Sequence, residues 1–158
     1  MFKITLYIIN EMNNYYYLIH IFIPILLAII VNIYVYQKDV YKNNNNTRNK
    51  YLPPGYVIGI TWIIILGLLG YIHYLTYNSF ISFFVIIVII YCLIYPFLTE
   101  NKNNEDSVKY NLIALILSFT LFVIILVKYQ KNNLYLFTIP LLLWTIYVYI
   151  VTKFFSKI

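Results

Sequence analysis

The stretch Pro53-Pro54-Gly55-Tyr56-Val57-Ile58-Gly59-Ile60-Thr61-Trp62 says most about the fold of this chain. A double proline ends a polar, asparagine-rich loop, and an apolar helix follows at once, because proline is tolerated in the first turn of a helix. All four glycines of the protein fall inside this helix. Small residues let helix backbones in a membrane approach closely. The stretch therefore predicts a membrane helix that packs closely on a neighbour and holds a flat, apolar group near the membrane surface.

Five apolar runs predict an all-α membrane protein, a single domain built as a bundle of five transmembrane helices. The chain has 158 residues, of which 63% are hydrophobic and 10% charged, and a mean hydropathy of +0.79. A helix that crosses a bilayer needs about 20 apolar residues. A closed barrel would need alternating apolar and polar residues, which the run 83–90 lacks. The predicted helices lie near 15–36, 57–77, 80–98, 111–128 and 134–155.

The basic residues are divided unevenly between the two sides of this predicted bundle. Eight lie on the side of the first long loop and the C-terminus, and three lie on the other side. The positive-inside rule then predicts an integral, multi-pass protein with its N-terminus outside and its C-terminus in the cytoplasm, in a membrane that the sequence leaves open. The net charge of +6 is spread over the loops, so we expect contacts with lipid headgroups and none with nucleic acid.

Helical periodicity gives three of the helices a distinct stripe of small, polar or aromatic residues, which we expect to face inward. The stripe of the second helix spans about 140° of arc, and its remaining Ile and Leu surface is expected to face lipid. Together the stripes predict an aromatic pocket between the three helices. They consist of His20, Pro24, Ala28 and Asn32 in the first helix; Gly55, Tyr56, Gly59, Trp62, Gly67, Gly70 and His73 in the second; and Pro140, Trp144, Tyr147 and Val151 in the fifth.

The groups needed for catalysis or ion coupling are missing from the predicted helix interiors. Asp and Glu do not occur there, whereas ion-coupled transporters and pumps usually carry a charged residue inside the membrane. The sequence also lacks an HExxH motif, a glycine-flanked serine with a matching base and a carboxylate pair. We therefore expect a binding protein without a cofactor rather than an enzyme.

The two histidines and the one cysteine are not expected to bind a metal. His20 and His73 lie near helix ends, where we expect them to anchor at the membrane surface or to bond a neighbouring helix. The predicted helix directions place these two histidines on opposite sides of the membrane, which excludes a shared metal site. Cys92 is single and lies in mid-membrane, so neither a disulfide nor a thiolate site is expected.

The chain resembles the translocator protein family, also called tryptophan-rich sensory proteins or peripheral benzodiazepine receptors. The hallmark of that family is a double proline, then an aromatic residue and valine, then a tryptophan with a small residue eight positions later. Residues 53–57, Trp62 and Gly70 match it in register. A Pro-x-x-x-Trp motif in the fifth helix is matched by Pro140 and Trp144, whereas the Asn-x-x-Trp-x-Pro motif of the third helix keeps only its proline, Pro96.

The resemblance and the stripes together imply a protein that binds a flat hydrophobic ligand beneath the loop 37–52, as a sensor, sink or translocator. A porphyrin is the leading candidate and a sterol the second, although the cholesterol motif of animal members is matched only loosely. A homodimer and a light-dependent breakdown of porphyrin as a side activity also fit the family. The ligand-binding residues would be Pro53, Pro54, Tyr56, Gly59, Trp62, Pro140, Trp144 and Val148, with secondary contacts from His20, Pro24, Arg48, Lys50 and Ile94.

Two other functions fit the same sequence. The first is a small structural or pore-forming membrane protein, in which the glycines and prolines serve packing and the chain works as an oligomer. The second is a transporter that moves lipids or porphyrins through the same cavity.

Overall fold

The fold consists of five α-helices. A computed structural model describes residues 2–38, 51–77, 79–99 and 104–155, without the side chains of residues 2–14, 16 and 104. Within these residues, five helical segments are long and apolar enough to cross a membrane, the last of them Leu134–Phe155, so the predicted fold class is confirmed. The helices are α1 (Phe2–Gln37), α2 (Gly55–Leu75), α3 (Phe80–Thr99), α4 (Asn104–Lys128) and α5 (Ile139–Phe155), and two 3-10 helices, Gln130–Asn132 and Leu134–Thr138, precede α5.

The start of α2 follows from its two prolines. Pro54 is the N-cap residue, and its carbonyl accepts hydrogen bonds from the backbone N–H of Val57 at 2.9 Å and of Ile58 at 3.2 Å. Both prolines therefore precede the helix. A residue at the N-cap is not helical, which suits the extended backbone of Pro54, with φ of −53° and ψ of 146°.

Three other helix starts differ from the prediction. α1 begins at Phe2 rather than near residue 15. α4 begins at Asn104 rather than near residue 111, in a polar segment with Glu105 and Asp106 in its first turn. Carboxylates are favoured there because the helix dipole is positive at its N-terminus. α5 begins at Ile139, after a 3-10 segment that starts at Leu134, because Asn133 takes a left-handed backbone with φ of 52°. Asparagine tolerates that conformation better than most residues.

The helices α1 and α2 pack antiparallel along the stripes predicted for them. At one end, the Asn32 side-chain amide donates a hydrogen bond to the Gly59 carbonyl at 3.1 Å. Midway, a Cβ on Gly67 would lie 3.1 Å from the Ile25 side chain. At the other end, a Cβ on Gly70 would overlap the His20 carbonyl oxygen and lie 3.0 Å from the Cα of Ile21. Gly59, Gly67 and Gly70 thus lie against α1, as predicted, whereas Gly55 makes no such contact with the described residues.

Much of the Ile and Leu surface of α2 lies in the core, so the prediction that this surface faces lipid is only partly right. Ile60 and Ile64 are 55% and 56% exposed, whereas Ile65, Leu66, Leu69 and Ile72 are at most 1% exposed. The four buried side chains belong to one cluster with residues of α3, α4 and α5. Lipid chains are as apolar as leucine, so hydrophobicity alone does not separate a face that meets other helices from one that meets the bilayer.

The inward face of α5 agrees with the predicted one only in part. Of the predicted stripe, Val151 is buried and Trp144 is half-buried, but Pro140 and Tyr147 are exposed. Leu141 and Thr145, outside that stripe, are buried as well. Thr145 lies inside because its hydroxyl forms a hydrogen bond of 2.7 Å with the Ser118 hydroxyl of α4. Because every face of α5 is largely apolar, the sequence period shows that a helix forms but does not fix its rotation.

Candidate functional site

A small cavity lies where α2, α3, α4 and α5 meet, in the half of the bundle that contains the start of α2 and the end of α3. Aromatic and small side chains form most of its wall, and none of the lining residues is charged. They are Trp62, Tyr95, Asn111, Ala114, Trp144, Thr145 and Val148.

Three aromatic rings from three helices meet at this cavity. The indoles of Trp62 and Trp144 are in edge-to-face contact, with ring centroids 6.4 Å apart and planes at 82°. The Tyr95 ring lies 5.9 Å from that of Trp62. Pairs of this kind contribute about 0.5–1.5 kcal/mol beyond the area that they bury. The rings therefore hold α2, α3 and α5 together and could present faces and edges to a flat ligand.

A chain of hydrogen bonds connects the other wall of the cavity. The Tyr95 hydroxyl donates to the side-chain oxygen of Asn111, and the amide nitrogen of Asn111 donates to the Thr152 hydroxyl at 2.9 Å. Asn111 is almost fully buried, and these bonds join α3, α4 and α5. The side chains of this wall are consequently held in place by partners on neighbouring helices.

The indole nitrogen of Trp144 is the exception. Among the residues that the structure describes, it is the one buried side-chain nitrogen or oxygen without a hydrogen-bond partner. An unpaired buried donor costs about 1–3 kcal/mol, so such groups are rare in folded proteins. Trp144 can therefore change its orientation without breaking a side-chain hydrogen bond, and its N–H can accept a new partner.

The cavity is small in this structure. Its volume is about 10 Å³, on the order of one water molecule. Pockets that enclose small molecules usually measure about 300–1,000 Å³. A ligand larger than water would need Trp144 and its neighbours to move apart, so the structure corresponds to a closed arrangement of these side chains.

The structure places the predicted ligand-binding residues in different surroundings. Trp62, Trp144 and Val148 line the cavity. Gly59 lies beside Asn32 at the contact with α1. The remaining predicted residues lie away from the cavity lining: Pro53 is half-buried, and Pro54, Tyr56, Ile94 and Pro140 are exposed.

The predicted secondary contacts from α1 lie against α2. Pro24 is buried in that interface, and His20 lies at the end of the bundle away from the cavity. Nδ1 of His20 is 2.8 Å from Nδ1 of His73, so the prediction that the two histidines lie on opposite sides of the membrane is wrong. His20 is near the start of its apolar segment and His73 near the end of the next, and antiparallel neighbours bring a start beside an end. Arg48 and Lys50 lie outside the described residues.

Sequence reasoning missed four of the lining residues: Tyr95, Asn111, Ala114 and Thr145. Tyr95 follows Ile94, the position where the family motif has tryptophan, and it is Tyr95 whose ring meets Trp62. Asn111 and Thr145 are polar residues in apolar segments, which is a signal for inward orientation. Ala114 carries no such signal.

The loose match to the cholesterol motif, formed by Leu143, Tyr149 and Lys153, lies on the outside of α5. Leu143 is 62% exposed, and the Lys153 ammonium donates to the Tyr149 hydroxyl at 3.2 Å. The pattern is therefore separate from the cavity.

Comparison with known proteins agrees with this architecture. The profile of the TspO/MBR family matches residues 20–155, which is most of the chain; the match contains four of the five apolar segments in full and the first from residue 20 onward. The chain belongs to the TspO/MBR family. No curated protein and no solved structure matches it significantly. Family membership and the five apolar helices identify an integral, multi-pass membrane protein of the translocator type.

Proposed function

We propose that this TspO/MBR protein binds a flat hydrophobic ligand of the porphyrin class between α2, α3, α4 and α5. The observation that carries the proposal is the meeting of Trp62, Trp144 and Tyr95 at one cavity inside an apolar bundle. Aromatic rings on three helices can enclose a planar macrocycle, and buried apolar surface contributes about 25 cal/mol per Å².

Binding in this proposal opens the closed cavity. Trp144 is the side chain that moves, because it is half-buried and its indole nitrogen has no hydrogen-bond partner to lose. Trp62 stays, because it is 7% exposed and packs in the central cluster. An acceptor atom on the ligand would then pair with the Trp144 N–H.

A binding role agrees with the side chains present at the cavity better than catalysis does. The lining residues include no carboxylate, histidine, cysteine or lysine that could act as acid, base or nucleophile. The functions of sensor, sink and translocator all begin with this binding step, so it is the step to test first.

The test is a titration of the purified chain with protoporphyrin in detergent, followed by the absorbance shift of the porphyrin, which does not depend on tryptophan. We expect Trp62→Ala and Trp144→Ala each to weaken binding by about tenfold, because each loses an aromatic contact of about 0.5–1.5 kcal/mol in addition to buried area.

The matched control is Phe80→Ala, which removes an aromatic ring that is 77% exposed, at the start of α3. Its affinity should equal that of the unchanged chain. Tyr56→Ala locates the site further: a loss as large as that of Trp144→Ala would place the ligand at the start of α2 instead of in the cavity. Unchanged affinity in both tryptophan variants would reject the proposed site.

A further inference from the structure

The end of the bundle away from the cavity holds the only two histidines of the chain, side by side. Nδ1 of His20 and Nδ1 of His73 are 2.8 Å apart, and the ring centroids are separated by 4.7 Å. Both side chains are half-buried. His20 belongs to the apolar segment Tyr17–Gln37 and His73 to Gly55–Leu75, close to the segment ends that meet here. The imidazoles therefore lie where an apolar bundle reaches the water phase.

The backbone holds the two rings in register. Gly70 packs against the carbonyl of His20, and His73 follows it by less than one helical turn. The Tyr77 ring borders both imidazoles, at 5.2 Å from His20 and 6.2 Å from His73. The nitrogens are thus brought together by contacts that would persist without the hydrogen bond between them.

We propose that His20 and His73 form a binding site for a late first-row transition-metal dication, Zn²⁺ or Cu²⁺, that links α1 to α2. Neutral imidazole is a favoured ligand of both ions. Zinc–nitrogen bonds of 2.0–2.1 Å at a tetrahedral angle require two nitrogens about 3.3 Å apart. The observed 2.8 Å needs an opening of about half an ångström, which small side-chain rotations supply.

The exchange of the hydrogen bond for an ion is balanced in protons. In the neutral pair one Nδ1 donates its hydrogen to the other, so one ring carries its proton on Nδ1 and its partner on Nε2. When the ion binds, the Nδ1 proton of the donor ring moves through water to its own Nε2. Both Nδ1 lone pairs then face the metal, and both rings remain neutral.

The remaining coordination positions are filled by water. No group of three or more His, Cys, Asp or Glu side chains lies close enough to share an ion within residues 2–38, 51–77, 79–99 and 104–155. Structural zinc sites usually have four protein ligands, so a site with two is weaker and exchanges its ion. We therefore infer a reversible link between two helices rather than a permanent structural metal.

The experiment uses the full chain, purified in detergent with an affinity tag that contains no histidine and stripped of metal by a chelator. Calorimetric titration with Cu²⁺, Zn²⁺ and Mg²⁺ should show one Cu²⁺ or Zn²⁺ per chain. Cu²⁺ should bind more tightly than Zn²⁺, as the general order of divalent affinities requires. Mg²⁺ should not bind, because it prefers oxygen ligands. Lowering the pH should weaken binding, because protons compete with the ion for the imidazoles.

The variants His20→Ala and His73→Ala should each weaken Cu²⁺ binding by about 100-fold or more, since loss of an outer-shell partner alone costs 10–100-fold. The double variant should bind Cu²⁺ at least as weakly as either single one, because it keeps neither ligand. Asn32→Ala is the matched control, because it removes an α1–α2 hydrogen bond, to Gly59, and leaves the histidines in place. Its metal affinity should be unchanged.

A spectroscopic measurement on the unchanged chain keeps the proposal testable if the histidine variants fail to fold. Electron paramagnetic resonance of the Cu²⁺ complex should show coupling to two imidazole nitrogens. Sub-stoichiometric binding, coupling to fewer than two nitrogens, or full affinity in either single histidine variant would overturn the proposal. None of these results would bear on porphyrin binding at the other end of the bundle.

Discussion

The two ends of α2 make contact with their neighbours in different ways. Near its start, Trp62 meets the rings of Tyr95 and Trp144 at 5.9 and 6.4 Å, around a cavity of about 10 Å³. Near its end, the backbone at Gly70 lies directly against the backbone of α1 at His20. Side chains can change rotamer while the helices stay in place, but backbones in contact cannot. The side chains at the start of α2 can therefore rearrange, whereas the end of α2 keeps a fixed register against α1.

The largest effect is expected at Gly70, where the backbones of α1 and α2 are in contact. Replacing it by alanine puts a Cβ onto the His20 carbonyl and within 3.0 Å of the Ile21 Cα, where only a shift of the helix gives relief. We expect Gly70→Ala to lower the free energy of unfolding by about 1–3 kcal/mol, the usual cost of overpacking. This value already includes the higher helix propensity of alanine, which stabilises a helix by about 0.8–1.0 kcal/mol relative to glycine. Unfolding midpoints in mixed micelles measure the change.

The control for this prediction is Gly55→Ala, in the same helix. Apart from the adjoining backbone, no atom of the described residues lies within 4 Å of a Cβ added at Gly55, so the substitution has free space. Its free energy of unfolding should change by no more than about 0.5 kcal/mol. Equal effects of the two substitutions would mean that the close approach at Gly70 is not what holds α1 on α2.

The helix contact at Gly70 could be predicted from the sequence, whereas much of the cavity lining could not. Long apolar runs fix the number of helices, because only a helix satisfies its own backbone in lipid. The glycines of α2 and the stripe of α1 predict that two helices touch. The packing partners of Ile65 and Asn111 could not be predicted in this way, because they come from other helices. In a membrane the outer surface of a helix is apolar too, so hydrophobicity does not show which face points inward.

The histidine pair shows another feature that sequence alone does not predict, the distance between two side chains on neighbouring helices. Both residues are visible in the sequence as helix-end histidines, and the antiparallel order of α1 and α2 follows from the chain connection. The distance of 2.8 Å between their Nδ1 atoms follows from neither, because it depends on the register set where Gly70 meets His20. A shift by one helical turn, about 5.4 Å, would separate the rings.

A second prediction concerns the polar wall of the cavity. Asn111→Leu keeps a similar volume but removes the hydrogen bonds to Tyr95 and Thr152. Hydrogen bonds between membrane helices contribute about 0.6 kcal/mol each on average. We therefore expect Asn111→Leu to lower the free energy of unfolding by about 1 kcal/mol, less than Gly70→Ala does. The same mixed-micelle measurement applies.

Thr61→Val is the matched control for Asn111→Leu. The Thr61 hydroxyl bonds only the Val57 carbonyl of its own helix, at 2.8 Å, so its removal breaks no contact between helices. A change of less than about 0.5 kcal/mol is expected. If Asn111→Leu lowers the free energy of unfolding by more than Gly70→Ala does, the cavity end of the bundle is the more rigid one, contrary to our expectation.

The smallest effect is expected at Trp144 itself. Phenylalanine in its place loses one ring of packing, which destabilises the fold, but it also removes the buried N–H that has no partner, whose burial costs about 1–3 kcal/mol. The two contributions oppose each other, so Trp144→Phe should leave the free energy of unfolding within about 0.5 kcal/mol of the unchanged chain. Trp62→Phe loses the same ring at a site that is 7% exposed, without that compensation, and should destabilise by about 1–2 kcal/mol. If both substitutions cost the same, the Trp144 N–H is not a strained group, and the reason for choosing Trp144 as the side chain that moves would be lost.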